Sequence, residues 1–147
     1  MLPRWHIIFG AIFSALIWIV SPKINPIFIL LIFFSSFLID FDHYLSSVLK
    51  SNRLSLFHAF EYHRKLQKEE RRKKRLGLRE KGDFHLFHTI EFHILMGLLS
   101  FVWIGFFYIF LGMIFHSLLD LYSLIYEKDL YQREYFLVNW LRKKISK

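Results

Sequence analysis

The chain has 147 residues, 54% of which are hydrophobic, and its apolar residues, 18 Phe among them, are clustered in long runs. This composition excludes an ordinary water-soluble domain and predicts a single integral membrane domain. The sequence contains no cysteine, which excludes disulfides and thiolate metal sites, so any metal must be held by His, Asp, Glu or water. Such ligands suit zinc, and also manganese, iron or magnesium.

The net charge of +8 is unevenly distributed along the chain. Twelve of the 20 Lys and Arg lie between Lys50 and Lys81, and six more occur from Lys128 onward. By the positive-inside rule these segments, and both termini with them, are expected on the cytoplasmic side of the plasma membrane. Because the basic block directly adjoins apolar runs, we expect it to contact anionic lipid headgroups and expect no nucleic-acid partner.

Four apolar segments indicate membrane helices, each of which needs about 20 residues. We expect spans over about 5–20, 26–43, 85–104 and 106–126. The last two spans should be joined by a turn near Gly105. Residues 50–82 indicate a basic cytoplasmic helical loop, and residues 128–147 indicate an amphipathic C-terminal helix at the membrane interface. The predicted fold class is therefore all-α, an integral membrane four-helix bundle that forms one domain over residues 1–147.

Acidic residues and histidines interrupt these apolar segments at a common depth. His116 and Asp120 lie one helical turn apart and therefore share a helix face. Asp40 ends the second apolar run, and His88 and Glu91 begin the third. Counted from the outer turns at about 1.5 Å per residue, all five lie in one layer toward the cytoplasmic side. Ionisable residues at membrane depth indicate a functional site.

Carboxylates and neutral imidazoles at helical spacing are ligands for a divalent metal, and three or more of them with an open position make a catalytic site. We expect one or two ions, with zinc as the first choice. The predicted ligands are Asp40, Asp42, His43, His88, His116 and Asp120. Glu91 or Asp42 is the predicted catalytic base, which takes a proton from metal-activated water. His6 and His85 are interpreted as interfacial histidines.

A short repeat adds further candidate ligands. Leu56–His63 reads LFHAFEYH and Leu86–His93 reads LFHTIEFH, so that each copy places a His and a Glu at i and i+3. Helix bundles build dimetal sites from such pairs. The first copy reaches the site only if the basic helix folds back over it. The further candidates from the repeat are His58, Glu61, Glu91 and His93.

The order of these motifs resembles a known family. An Asp-x-Asp-His motif follows an apolar helix, a His-x4-His motif opens the next membrane helix, and a His-x3-Asp motif lies in the last. The residues concerned are Asp40, Asp42, His43, His88, His93, His116 and Asp120. This order resembles the YdjM-like family of membrane-bound metal-dependent hydrolases, which is distantly similar in fold to the zinc-dependent phospholipase C and P1 nuclease group. The chain has Ile39 where the family has Pro, and Thr89 where it has Arg.

The resemblance implies a metal-dependent hydrolase at the membrane. We expect it to act on an ester or phosphoester, and a lipid or lipid-linked phosphate is the most economical substrate because the site lies at headgroup depth beside a basic loop. One alternative is a metal-binding transporter or channel subunit, which would require an oligomer. The other is a non-catalytic structural membrane protein, whose polar residues only hold helices together.

Overall fold

The computed structural model describes residues 3–146, which form seven α-helices joined by short loops. The helices are α1 (Pro3–Val20), α2 (Pro26–Leu38), α3 (Phe41–Ser51), α4 (Leu56–Arg75), α5 (Ile90–Leu99), α6 (Ile104–Glu127) and α7 (Leu137–Ile145). Two 3₁₀ turns cover Leu86–His88 and Leu130–Gln132. Residues 3–146 contain no strand, so the all-α prediction is confirmed.

Helix α2 is the centre of the packing, because α1 and α6 both lie against it. Its start is well defined by the sequence: Pro26 occupies the first turn, and the Asn25 side chain accepts a hydrogen bond of 2.9 Å from the Ile27 N–H. Helix α5 packs on α6, and α3 packs on α4. The chain therefore forms an apolar group of four helices, α1, α2, α5 and α6, with the more polar α3–α4 pair following α2.

Small residues allow the central helices to approach closely. A Cβ added to Gly10 of α1 would collide with the Ser36 side chain of α2. A Cβ added to Gly112 of α6 would collide with both the Ser35 hydroxyl and the Ile32 carbonyl of α2. Close backbone approach at small residues is how helices associate in an apolar environment. These two contacts hold α1 and α6 against neighbouring positions of α2.

The interior of this helix group is more polar than its surface. Among the described residues the buried apolar side chains are Ile29, Ile32, Ile39, Ala59 and Met113. Eleven polar or charged residues are also buried, histidines and aspartates among them. Large apolar residues face outward instead, as at Ile12 (50% exposed) and Ile19 (75% exposed) of α1. This distribution is the reverse of the one expected for a protein folded in water.

Length and composition identify fewer membrane spans than the sequence predicts. Helix α6 is long and apolar enough to cross a membrane. Helices α2 and α3, which meet at a bend of 41°, would together count as a second span if they form one bent membrane helix. Helices α1 and α5 are apolar but shorter. Helix α5 begins only at Ile90 because residues 86–88 form a 3₁₀ turn and the Thr89 hydroxyl caps the helix. A four-span bundle is therefore not established by helix length.

We predict that Gly112→Ala destabilises the protein, whereas Gly97→Ala does not. Both glycines are helical, but a Cβ at Gly97 would lie 3.8 Å from a Phe110 ring carbon, which is an ordinary contact. Overpacking at Gly112 should cost about 1–3 kcal/mol, while Ala at position 97 gains up to about 1 kcal/mol of helix propensity. Thermal unfolding of the two variants in detergent checks this. Equal melting temperatures would contradict the close α2–α6 contact.

Candidate metal centre

Four side chains from separate parts of the chain converge on one point. Asp40, His88, His116 and Asp120 each offer one ligand atom, and these atoms all lie within 4.8 Å of one another. Asp40 is half-buried and the other three are buried. Two carboxylates and two imidazoles are a donor set that could hold a divalent metal ion. Asp40 lies at the α2–α3 break, His88 in the 3₁₀ turn before α5, and the other two on α6.

The distances between the ligand atoms fit a small metal ion. His116 Nε2 lies 3.2 Å from His88 Nε2, 3.4 Å from Asp120 Oδ2 and 3.5 Å from Asp40 Oδ1. His88 Nε2 lies 3.7 Å from Asp40 Oδ1 and 3.8 Å from Asp120 Oδ2. A tetrahedral zinc ion with ligands at about 2.0–2.1 Å separates them by about 3.3–3.4 Å. These five of the six pairwise distances are thus close to the spacing that such an ion requires, and all six lie within 4.8 Å.

The outer nitrogen of His116 is held in the way that is usual for a metal-ligating histidine. His116 Nδ1 lies 2.8 Å from the Ser36 carbonyl and donates to it, which leaves Nε2 as the unprotonated nitrogen. His88 Nδ1 lies 3.5 Å from Asp42 Oδ2, and the same oxygen accepts a hydrogen bond from the Phe87 N–H. Asp42, predicted as a ligand and a base, therefore lies behind His88, close to its Nδ1 but without a hydrogen bond to it.

His6 is a member of this site that sequence reasoning missed. It is 1% exposed, its ring stacks on that of His116 at 4.1 Å, and its Nε2 lies 3.2 Å from Asp120 Oδ1. The interpretation of His6 as an interfacial residue does not fit this position. Depth counting would have found it, since His6 precedes the first turn by about 15 residues and so falls in the same layer as Asp40.

Arg133 is the second residue that was missed. It lies between the second 3₁₀ turn and α7, in a segment that the sequence assigns to a surface helix. Its Nη2 donates to Asp120 Oδ2 at 2.6 Å. No local pattern singles out this arginine among the 20 basic residues, because its position depends on how the C-terminal segment folds back over α6.

Glu91 and His93 lie near the centre but make other contacts. Glu91 accepts hydrogen bonds from the N–H groups of Leu137 (3.0 Å) and Val138 (3.2 Å), so it caps α7. His93 Nδ1 lies 2.8 Å from the Thr89 carbonyl, and its Nε2 lies 2.9 Å from the Ser117 hydroxyl. Neither residue belongs to the group of four.

His43 and the first copy of the repeat lie farther out. His43 Nε2 is 3.5 Å from Asp40 Oδ1, and its ring packs against His85 at 3.9 Å and meets the His88 ring edge-on at 5.6 Å, but it is not one of the four converging ligands. His58 contacts Arg53, and Glu61 pairs with Lys65 along α4 at 2.9 Å. The basic helix therefore does not bring His58 and Glu61 to the site, although the two copies of the repeat have similar sequences.

Helix α4 is held beside the site by a buried carboxylate. Asp83 accepts hydrogen bonds from Ser46 (3.0 Å) and Tyr62 (3.0 Å) and also pairs with Lys50. Burial raises the pKa of the Asp83 carboxyl, but the hydrogen bonds from Lys50 and Ser46 and the Lys50 charge outweigh it, so the pKa lies below its ordinary value. Asp83 is therefore ionised at neutral pH and fixes α3 against α4.

An apolar groove of about 280 Å³ opens between α2, α5 and α6. Its wall includes Ile39 and Phe87, which directly precede Asp40 and His88 in the chain. Met113, one turn before His116, also lines it. The groove is thus lined by residues that are close in the chain to three of the four ligands. The remaining lining residues are Leu31, Phe34, Ser35, Leu38, Phe92, Met96 and Ile109.

Comparison of the chain with protein-family models, with curated proteins and with solved structures finds no match in any of the three. The resemblance to the YdjM-like family therefore rests on the sequence motifs alone. The direct evidence for a functional site is the convergence of the four side chains.

We predict that His116→Ala removes zinc binding, whereas His93→Ala leaves it intact. The two histidines are both buried and lie on neighbouring helices, but only His116 contributes a ligand atom. Loss of a ligand should weaken zinc by more than the roughly 10–100-fold that outer contacts of a metal site typically contribute. Metal analysis of the two purified variants after equilibration with zinc makes the comparison. Equal loss from both, or full retention in both, would contradict the assignment.

Proposed function

We propose that this protein is a membrane-embedded, metal-dependent hydrolase that cleaves a phosphoester of a lipid or lipid-linked phosphate. The observation that carries the proposal is the convergence of Asp40, His88, His116 and Asp120 within 4.8 Å. Such a set, assembled from three separate chain segments and largely buried, supports a metal site better than chance pairing does. The sequence resemblance to the YdjM-like family supports the same reaction class.

The distribution of side chains supports a membrane location. Buried polar groups within an apolar surface are expected where lipid, not water, surrounds the helices. Helix α4 carries the KEERRKKR run together with exposed Phe57 (76%) and Phe60 (70%) near its start. Basic residues next to exposed aromatic rings are typical of a helix at an anionic membrane surface. We therefore place the site on the cytoplasmic side, where the positive-inside rule puts this helix.

The four side chains have the chemistry that a resident divalent ion requires. Zinc is the first choice, with manganese, iron and magnesium as alternatives. The Ser36 carbonyl orients the His116 imidazole, and the Asp42 carboxylate lies 3.5 Å from His88 Nδ1. When bound, the ion polarises the phosphoryl oxygen and makes water a stronger nucleophile at neutral pH. The protein holds the reacting groups in a site shielded from bulk water.

A base is needed to take the proton from the attacking water. Glu91 is engaged by the α7 backbone through both of its oxygens, and Asp42 faces His88 and Phe87. His43 is better placed than either, because its side chain is 36% exposed and its Nε2 lies 3.5 Å from Asp40 Oδ1. We therefore assign the role of general base to His43, whose Nε2 would take the proton from the water.

The apolar groove favours a lipid over a soluble phosphoester. A volume of about 280 Å³ lined almost wholly by apolar side chains suits part of a hydrocarbon chain. Its position beside Asp40 and His88 would bring the headgroup of such a lipid to the metal centre. A chain bound there would also displace water from the site, which strengthens the electrostatic interactions within it.

We expect purified protein with zinc to hydrolyse a long-chain phosphate ester faster than a short-chain one. The test uses protein in detergent micelles and a panel of phosphomonoesters and diesters, each in long-chain and water-soluble form, with zinc, manganese or magnesium. His116→Ala should reduce the rate to background. Stoichiometric zinc binding without hydrolysis of any member of the panel would contradict an enzymatic role and favour metal transport.

We predict that Ile109→Trp lowers kcat/KM for the long-chain ester about tenfold and leaves the soluble ester unchanged. The larger ring fills the groove that Ile109 lines, and tenfold corresponds to about 1.4 kcal/mol of lost chain binding. Ile125→Trp is the matched control, since Ile125 lies on the same helix and is 56% exposed. Equal kinetics for the two variants would show that the groove does not bind the hydrocarbon chain of the substrate.

A structural role is the second possibility, and one observation favours it. Asp120 already has a cationic partner in Arg133 at 2.6 Å and a polar partner in His6 at 3.2 Å. The buried carboxylate is thus paired without a metal, as in polar contacts that hold helices together. Protein that binds no zinc, manganese or magnesium in equilibrium dialysis would establish this reading over the enzyme.

A further inference from the structure

The segment 130–137, here termed the C-terminal strap, is fixed against the chain around His88. The Gly82 N–H donates to the Gln132 carbonyl at 2.8 Å, and the Ile90 N–H donates to the Tyr135 carbonyl at 3.0 Å. Lys81 Nζ donates to the Arg133 carbonyl at 3.0 Å. Glu91 also accepts a hydrogen bond from the Leu137 N–H. The strap is therefore bonded to the chain both before and after His88.

The strap places the side chain of Arg133 at the metal centre. The side chain is only 16% exposed, and its Nη2 reaches the ligand oxygen Asp120 Oδ2 at 2.6 Å. That bond uses one of the five N–H donors of the guanidinium. Within residues 3–146, the other guanidinium nitrogens have no hydrogen-bond partner of their own. Donors therefore remain for a second, anionic partner.

Arginine has the geometry for that partner. A guanidinium offers parallel N–H donors that match two oxygens of a phosphate, and it stays charged at any physiological pH. The neighbouring basic side chains are engaged elsewhere, since Lys81 and Lys143 pair with Glu134 at 3.5 Å and 2.6 Å. Among the described cations, Arg133 is the one with a hydrogen bond to the four-residue group.

We propose that Arg133 is the anion-binding residue of the site, which holds two oxygens of the phosphoryl group while Asp120 serves the metal. This assignment rests on the proposed function and specifies how its substrate is recognised. Arg133 supplies a guanidinium to the four-residue group from a part of the chain that lies outside all of the metal-ligand motifs.

The test measures binding of inorganic phosphate by isothermal titration calorimetry to full-length protein in detergent, as purified and after zinc loading. Arg133→Gln should weaken phosphate binding at least tenfold while zinc stoichiometry stays at the wild-type value. Arg133→Lys should lie between the two, because an ammonium cannot form the two parallel hydrogen bonds. Arg142→Gln, which removes an exposed arginine from the adjoining helix α7, should match wild type.

Three results would overturn the proposal: no phosphate binding by wild type, equal affinity in Arg133→Gln and wild type, or loss of zinc together with phosphate in Arg133→Gln. If Arg133→Gln fails to fold, wild-type phosphate affinity in Arg133→Lys is the result that overturns it. Arg133-dependent phosphate binding without hydrolysis would contradict the proposed function and leave this inference standing. Hydrolysis at the wild-type rate in Arg133→Gln would contradict this inference and leave the proposed function standing.

Discussion

The buried carboxylate of Asp120 is the interaction on which the rest of the site depends. It is 4% exposed and has contacts with His6 of α1, with His116 one turn earlier on α6, and with Arg133 of the C-terminal strap. A charge taken out of water is tolerated only when such partners compensate it. Two helices and the strap are therefore tied to one side chain, and the remaining ligands are positioned around it.

The packing of the central helices sets the geometry of that arrangement. Ser36 lies where Gly10 of α1 meets α2, and its carbonyl accepts the hydrogen bond from His116. Gly112, one turn before His116, meets α2 at Ser35. The small residues that let the helices approach thus also determine how far the His116 ring lies from Asp40. The same contacts therefore set both the packing of the helices and the geometry of the ligands.

Much of the site was predictable from the sequence, because helical periodicity and depth are local properties. The spacing of His116 and Asp120 placed both on one face, and counting from the turns brought Asp40 and His88 to the same layer. Helical periodicity carries no information about the path of the C-terminal strap. The contact of Arg133 with the site was therefore not predicted. Periodicity also does not distinguish the two repeat copies, of which only the second lies at a buried helix start. The breaks at Asp40 and before α5 shorten two helices, so helix length alone supports one or two spans and the four-span bundle stays a prediction.

X-ray absorption spectroscopy of the zinc-loaded protein tests the central claim most directly, since it reports the atoms bound to the ion. We expect nitrogen and oxygen neighbours at about 2.0–2.1 Å, with outer-shell scattering from two imidazole rings. Those rings belong to His88 and His116. A spectrum with only oxygen neighbours and no imidazole scattering, or a protein that takes up no zinc, would contradict it.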